Sequence, residues 1–215
     1  LTEQGNLTEE ISAKLAAATT LAELEDIYRP FRPKRRTRAT IAKEKGLEPL
    51  ALQLLMQNVK TGTPQDLAKP FINEEKGVTT AEEALQGARD ILSEQMSDDA
   101  DVRKALRALC YRTGVIESRN TKEEDSVYSM YYEFSQEIRT LPGHRILAIN
   151  RGEREEFLKV AIRMDDAASV GVLEKAFVRE GSITTPQVKL TTQDAWDRLI
   201  KPSLEREIRN ELTER

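Results

Sequence analysis

The residues that are the strongest candidates for a binding function are basic, and they lie close together near the start of the chain. Between Arg29 and Lys45 the sequence has eight basic residues and one acid, Glu44, so this window carries a charge of +7. The whole chain of 215 residues carries −4, and the remainder therefore carries −11. Arginine presents a planar fork of N–H donors that matches phosphate oxygens, and a dense run of cations suits a phosphate backbone. We therefore predict phosphate contacts from six residues, Arg32, Lys34, Arg35, Arg36, Arg38 and Lys43.

The same basic run also has a structural interpretation. Arginines can compensate the dipole at helix C-termini and pair with acids on neighbouring helices. Tyr28 and Phe31 flank the run, and they could either stack on bases or pack into a core. Both interpretations stay open at this point. The run contains no base-reading pattern, so it does not distinguish DNA from RNA.

Residues that could support catalysis or bind a metal are sparse. The chain has one histidine, His144, and one cysteine, Cys110, so a thiolate zinc site and most histidine-based sites are excluded. Paired acids at positions 9–10, 82–83 and 123–125 are explained more simply as solvated helix faces. We expect no enzyme, no metal and no cofactor. The single cysteine and the absence of a long apolar run favour a cytoplasmic protein.

Helices are predicted to position the basic run. Thr20 with Glu23, and Thr80 with Glu83, have the spacing of capping boxes at helix N-termini. After the first of them, Leu21, Leu24 and Tyr28 are predicted to form a buried stripe.

A helix over residues 37–45, a turn at Gly46 and a second helix beginning near Pro49 would form a helix-turn-helix-like unit beside the run.

The pattern changes after Gly114. Residues 115–119 could form a strand, and residues 128–139 read as helical or irregular. Residues 145–150 and 157–163, joined by a turn at 151–153, predict a β-hairpin. Thr191 or Thr192 is expected to cap a last helix that Pro202 kinks.

The predicted fold class is mostly α, an elongated multi-helix assembly with a helix-turn-helix-like unit and one small β-hairpin. The predicted domains are a helical region at 1–114, a mixed segment at 115–190 and a linker helix at 191–215 that leads toward a missing domain.

Residues 24–39, LEDIYRPFRPKRRTRA, resemble the signature segment of the bacterial Tex family of transcription accessory proteins. Residues 39–51, 84–91, 141–152 and 196–208 are similar to further blocks of that family. The resemblance implies an elongated, largely helical parent protein that adds an RNase H-like YqgF-type domain, helix-hairpin-helix elements and an OB-fold RNA-binding domain. It also implies that this chain is a fragment from the region before the YqgF-type domain.

From the residues and the resemblance together, we expect a non-enzymatic, nucleic-acid-associated module. Its basic segment would contact an RNA or DNA backbone, and its helices would hold other domains in place. RNA polymerase or other transcription machinery, and sibling domains absent from this fragment, are the expected protein partners. The alternative is a protein-protein scaffold with no nucleic-acid affinity of its own.

Overall fold

The computed structural model describes residues 7–31 and 36–214. It is mostly α-helical with a small antiparallel sheet, which confirms the predicted class. The chain divides into two compact units. Unit 1 comprises the chain up to Lys104 together with Val170–Ile200, and unit 2 comprises Ala105–Ser169 together with the chain from Lys201 onward. The division at residues 114 and 190 stays a prediction.

The first helices in chain order are α1 (Glu9–Ala17), α2 (Leu21–Tyr28), α3 (Arg38–Glu44), α4 (Glu48–Met56), α5 (Pro64–Ala68), α6 (Ala81–Ser97) and α7 (Ala100–Thr113). They are followed by α8 (Gly143–Arg154), α9 (Asp166–Phe177), α10 (Thr185–Asp194) and α11 (Lys201–Glu214). The strands are β1 (Val115–Asn120), β2 (Glu133–Glu137) and β3 (Leu158–Arg163). Among the described residues, no helix is both long enough and apolar enough to cross a membrane.

Unit 1 is built on α6, against which α3, α4 and α10 pack. Small residues allow a close approach of α3, because Ala39 and Ala42 are buried and α6 has Gly87 at this contact. A Cβ added at Gly87 would lie 2.3 Å from Leu47 Cδ1 and 3.4 Å from Ala42 Cβ. The packing of Leu47, in the turn between α3 and α4, against α6 therefore depends on the absence of a side chain at this position.

The predicted buried stripe of α2 is wrong. Leu21 and Leu24 are 69% and 42% exposed, and the residue that α2 buries is Asp26. Its Oδ1 lies 3.7 Å from Nε of Arg103, which is buried on α7 and also donates from Nη1 to the Ser97 carbonyl at 3.0 Å. A buried ion pair therefore sets which face of α2 turns inward, and an apolar periodicity count cannot detect such a pair.

The predicted capping boxes form with a shifted partner. The Glu83 N–H donates to Thr80 Oγ1 at 3.1 Å as expected. The Glu83 carboxylate instead accepts from the Thr79 N–H at 2.7 Å and from Thr79 Oγ1 at 2.8 Å. Glu23 does the same with Thr19. These bonds lower the pKa of Glu83, the Thr79 backbone N–H contributing most.

Helices α3 and α4 are joined by a turn at Gly46, as predicted. Gly46 has φ of 78°, a left-handed value that glycine adopts without steric cost. Its N–H donates to the Lys43 carbonyl at 3.0 Å, and the Leu47 N–H donates to the Ala42 carbonyl at 3.2 Å. The predicted pair of helices joined at Gly46 is thus present.

Unit 2 contains a three-stranded antiparallel sheet in the order β2-β1-β3. Ile116 on the central strand pairs with Gln136 on one side and Ile162 on the other. Leu158, Val160 and Ile162 alternate inward along β3. Helix α11, with Leu204, Ile208 and Leu212 buried, packs on α8 in the same unit.

The predicted hairpin is wrong in its first arm, since residues 145–150 belong to α8. The buried positions Ile146, Ile149 and Gly152 recur every three residues, which is a helical spacing. Gly152 is therefore a packing residue and not part of a turn, because an added Cβ would lie 2.6 Å from Leu158 Cδ1. The strand β3 pairs instead with β1, and β2 lies within residues 128–139, for which the sequence predicts a helical or irregular segment.

The predicted cap at Thr191 or Thr192 is also wrong, because both lie inside α10, which begins after Thr184. Their hydroxyls donate to the carbonyls of Gln187 and Lys189 at 2.8 and 2.7 Å. Such back-bonding lets a threonine sit within a helix. Upstream of Pro202, residues Ala195–Ile200 form a π-helical segment, the kind of irregularity that accompanies a helix distortion.

Candidate nucleic-acid interface

The basic segment predicted from the sequence is only partly covered by the structure. Arg32, Lys34 and Arg35 lie outside the described residues. The remaining predicted residues are Arg36, Arg38 and Lys43, and all three are exposed. Arg38 begins α3 and Lys43 lies in its last turn.

Two interactions of Thr37 fix the start of α3. Its Oγ1 accepts from the Thr40 N–H at 3.2 Å, which caps the helix, and donates to Glu94 Oε2 on α6 at 2.7 Å. The cap and the small-residue packing hold α3 in place. The cations that α3 presents are therefore attached to a well-fixed backbone.

Arg36 is engaged in a forked ion pair within the segment. Its Nη1 donates to Glu44 Oε1 at 3.1 Å, and its Nη2 lies 2.9 Å from Glu44 Oε2. Both side chains are more than half exposed, at 65% and 52%. Exposed pairs of this kind contribute about 0–1 kcal/mol. A phosphate can therefore replace Glu44 as the partner of Arg36 at little energetic cost.

Arg38 and Lys43 make no ion pair with any residue in the described ranges 7–31 and 36–214. The positive charge of Arg38 nevertheless acts on Asp194 of α10 and contributes to the lowering of its pKa. Burial acts on that carboxyl in the opposite direction and is the largest single influence. Hydrogen bonds from Arg198 at 2.9 Å and Ser93 at 2.8 Å outweigh it.

An open groove of about 790 Å³ lies beside Lys43, between α3, α4 and α6. Its apolar lining includes Leu52 and Leu55. Four carboxylates line it against the single ammonium of Lys43: Glu48, Glu94, Asp98 and Asp99. The excess of carboxylates disfavours a phosphate inside the groove, although Lys43 itself is exposed.

The aromatic residues that flank the basic run, the single histidine and the single cysteine lie in surroundings that indicate no metal site among the described residues. Tyr28 and Phe31 are half-buried, so base stacking by them stays a prediction. His144 is exposed in the first turn of α8. Cys110 is buried, and this burial, with a smaller effect of Glu205, raises the pKa of its thiol to about 11. Within the part of the chain that the structure describes, no three His, Cys, Asp or Glu side chains come together as a metal site.

Unit 2 brings together a second group of cations that the sequence did not predict. Arg154 on α8 and Arg206 and Arg209 on α11 line one pocket. Arg154 is far from Arg206 and Arg209 along the chain, and the sequence predicts a strand at residues 145–150, so it shows no charge cluster here. A spacing of three residues, between Arg151 and Arg154 and between Arg206 and Arg209, is the signal that a correct helix assignment would have used.

Comparison with known proteins shows which family the chain resembles. Residues 60–215 match the family model described as Tex central region-like. The uncharacterized protein YdcI of Bacillus subtilis is 42% identical over 225 residues, covering 100% of this chain and 30% of that protein. The transcriptional accessory protein Tex of Neisseria gonorrhoeae is 39% identical over 169 residues, covering 75% of this chain and 21% of its own length. The human S1 RNA-binding domain-containing protein 1 is 29% identical over 230 residues, covering 98% and 22%.

The matched region and these relatives define a helical protein of the transcription accessory class. The chain belongs to the Tex family, as its sequence blocks predicted. It spans between about a fifth and a third of the length of these relatives. The family model begins at residue 60, so it covers the second group of cations but not the basic segment around α3.

Proposed function

We propose that this chain is a nucleic-acid-associated module of a Tex-like transcription accessory protein. In this proposal the basic segment contacts the phosphate backbone of RNA or DNA, and the helical units hold the other domains of the parent protein. The observation that carries it is the exposure of Arg36, Arg38 and Lys43 on and next to one well-anchored helix.

The energetics of the segment favour phosphate. Arg38 and Lys43 have no ion pair among the described residues, and Arg36 has one that is weak because it is exposed. Each cation that meets a phosphate releases counterions, and the resulting affinity is independent of base sequence. Binding by this segment should therefore be tight at low salt, weak at high salt and tolerant of sequence.

The names of the relatives also support a role in transcription and nucleic-acid binding. One is called a transcriptional accessory protein, and another contains an S1 RNA-binding domain. Since the chain covers only part of each relative, the activity of the whole protein is itself part of the proposal. We propose a binding module and not an enzyme, acting in the cytoplasm with RNA polymerase or other transcription machinery.

A protein-protein scaffold is the second candidate, and the acidic groove favours it. Glu48 and Asp99 line the groove together with apolar side chains that include Leu52, which is 59% exposed. A groove with this chemistry suits an apolar, basic segment of a protein partner. In that case the chain would have no nucleic-acid affinity of its own.

Charge-neutralising variants test the first candidate against the second. Arg38→Gln with Lys43→Gln removes two exposed cations, and Lys60→Gln with Lys175→Gln removes the same charge from exposed positions elsewhere in unit 1. Fluorescence anisotropy with a labelled single-stranded RNA should show weaker binding for the first variant only. Equal binding by both variants would exclude α3 as the contact, and no binding by the unmodified chain would favour the scaffold.

A further inference from the structure

The pocket between α8 and α11 has the composition of an anion site. It has a volume of about 390 Å³, and three arginines line it against one acid, Glu153. Arg209 neutralises that acid with two hydrogen bonds, at 2.8 and 3.0 Å, from its Nη2 and Nη1. The charges left for a ligand are therefore those of Arg154 and Arg206.

A hydrogen-bonded network connects residues that line this pocket. Arg209 Nη2 also donates to Asn150 Oδ1 at 2.9 Å, and Asn150 Nδ2 donates to Thr213 Oγ1 at 2.8 Å. These bonds join α8 to α11. Arg154 and Arg206 at the rim are exposed, and neither has an ion pair among the residues that the structure describes.

The helix dipole explains only part of this arrangement. A cation in the last turn of α8 is favoured by the partial negative charge there, which accounts for Arg154. It does not account for Arg206, which lines the same pocket from the middle of α11.

A second pocket of about 470 Å³ adjoins the first, because Glu153 lines both. It adds two exposed cations, Lys122 and Lys159, and one further acid, Glu156. The Lys122 ammonium lies 4.4 Å from the centre of the Phe157 ring, a cation–π contact that restrains it beside the pocket. The two adjoining pockets thus present four cations that form no ion pair with an acid lining either pocket.

We propose that these two pockets form a second phosphate-binding surface, which takes successive phosphates of a single nucleic-acid strand. Two neighbouring sites with two available cations each suit a polyanion with regularly spaced charges. No fully exposed aromatic ring lines either pocket, so binding depends on charge and not on base stacking. The inference shares with the proposed function only the class of ligand, since the residues lie in a different unit from α3.

The test uses the whole 215-residue chain and a fluorescein-labelled oligouridine of about 12 nucleotides. The variant is Arg154→Gln with Arg206→Gln. The matched control is Arg112→Gln with Arg139→Gln, which removes the same charge from exposed positions in unit 2. All four side chains are exposed, and an unchanged circular dichroism spectrum verifies the fold of each variant.

Two phosphate contacts on a single strand contribute about 1.4 to the slope of log affinity against log salt concentration. Affinity at about 0.1 M salt is then roughly 25-fold higher than at about 1 M salt. The Arg154/Arg206 variant should lose close to that factor and that slope, and the control should lose little. Equal losses in the two variants would overturn the inference. It would also be overturned if polyglutamate of matched charge displaced the RNA as effectively as unlabelled oligouridine does, because the surface would then bind acidic peptides.

The same titration separates this inference from the proposed function. Loss of affinity in the Arg154/Arg206 variant with none in the Arg38/Lys43 variant supports the second surface and contradicts the first. The reverse result supports α3 and overturns the second surface.

Discussion

A methyl group added at Gly87 tests the packing that positions α3. In a helix interior, alanine is more favourable than glycine by about 1 kcal/mol. At Gly87 the added Cβ would lie 2.3 Å from Leu47 Cδ1, and Leu47 is almost completely buried. Overpacking of this kind costs about 1–3 kcal/mol. We therefore expect Gly87→Ala to destabilise the protein by about 1 kcal/mol.

Gly171→Ala is the matched control. Like Gly87, Gly171 lies within a helix, but it is exposed. An added Cβ there meets no atom within 4 Å. The control should gain about 1 kcal/mol, which makes the two variants differ by about 2 kcal/mol. Urea unfolding followed by circular dichroism measures both, provided that the dependence on urea concentration is unchanged. If Gly87→Ala stabilises the protein as much as Gly171→Ala does, the close packing of Leu47 against α6 is not as described.

Three further predictions concern buried and charged groups. Arg103→Met should cost about 3–5 kcal/mol in the free energy of unfolding because it removes the guanidinium beside the buried Asp26, and adding Asp26→Leu should recover much of this loss. Hydrogen bonds from Thr79 lower the pKa of Glu83, so their stabilisation is present above the pKa of an unfolded glutamate and disappears as the pH falls through the lower native value. The stability difference between wild type and Glu83→Ala should therefore shrink on acidification in urea titrations at a series of pH values. The Cys110 thiol, with its pKa raised to about 11, should react with an alkylating reagent at neutral pH only after unfolding, and fast labelling of the native protein would contradict its burial.

The amphipathic helices are the part of the fold that the sequence predicts best. The caps at Thr20 and Thr80 and the turn at Gly46 are local features, and the residues that form them are adjacent in the chain. The strand assignment at 145–150 failed because a β-branched, apolar run has no distinctive period over six residues. Tertiary packing of Ile146 and Ile149 then decided in favour of a helix.

The candidate sites likewise differ in whether they are formed by residues near each other in the chain or by helices that meet only in the fold. The basic segment is visible in the sequence because its cations lie close together in the chain. The pocket lined by Arg154 and Arg206 depends on two helices meeting, and the acidic groove beside Lys43 depends on three. Likewise, the buried pair of Asp26 and Arg103 joins residues far apart in the chain, so hydrophobic periodicity misassigned the inner face of α2.

The salt dependence of RNA binding by the intact chain tests the central claim most directly. Anisotropy titrations with a labelled single strand at about 50 and 200 mM salt give the number of phosphates that the protein contacts. For binding through the basic segment alone, three contacts from Arg36, Arg38 and Lys43 predict an affinity about 20-fold lower at the higher salt, and all six contacts predicted from the sequence give about 300-fold. An absence of binding at the lower salt, or an affinity that does not change between the two, would contradict phosphate recognition by this protein.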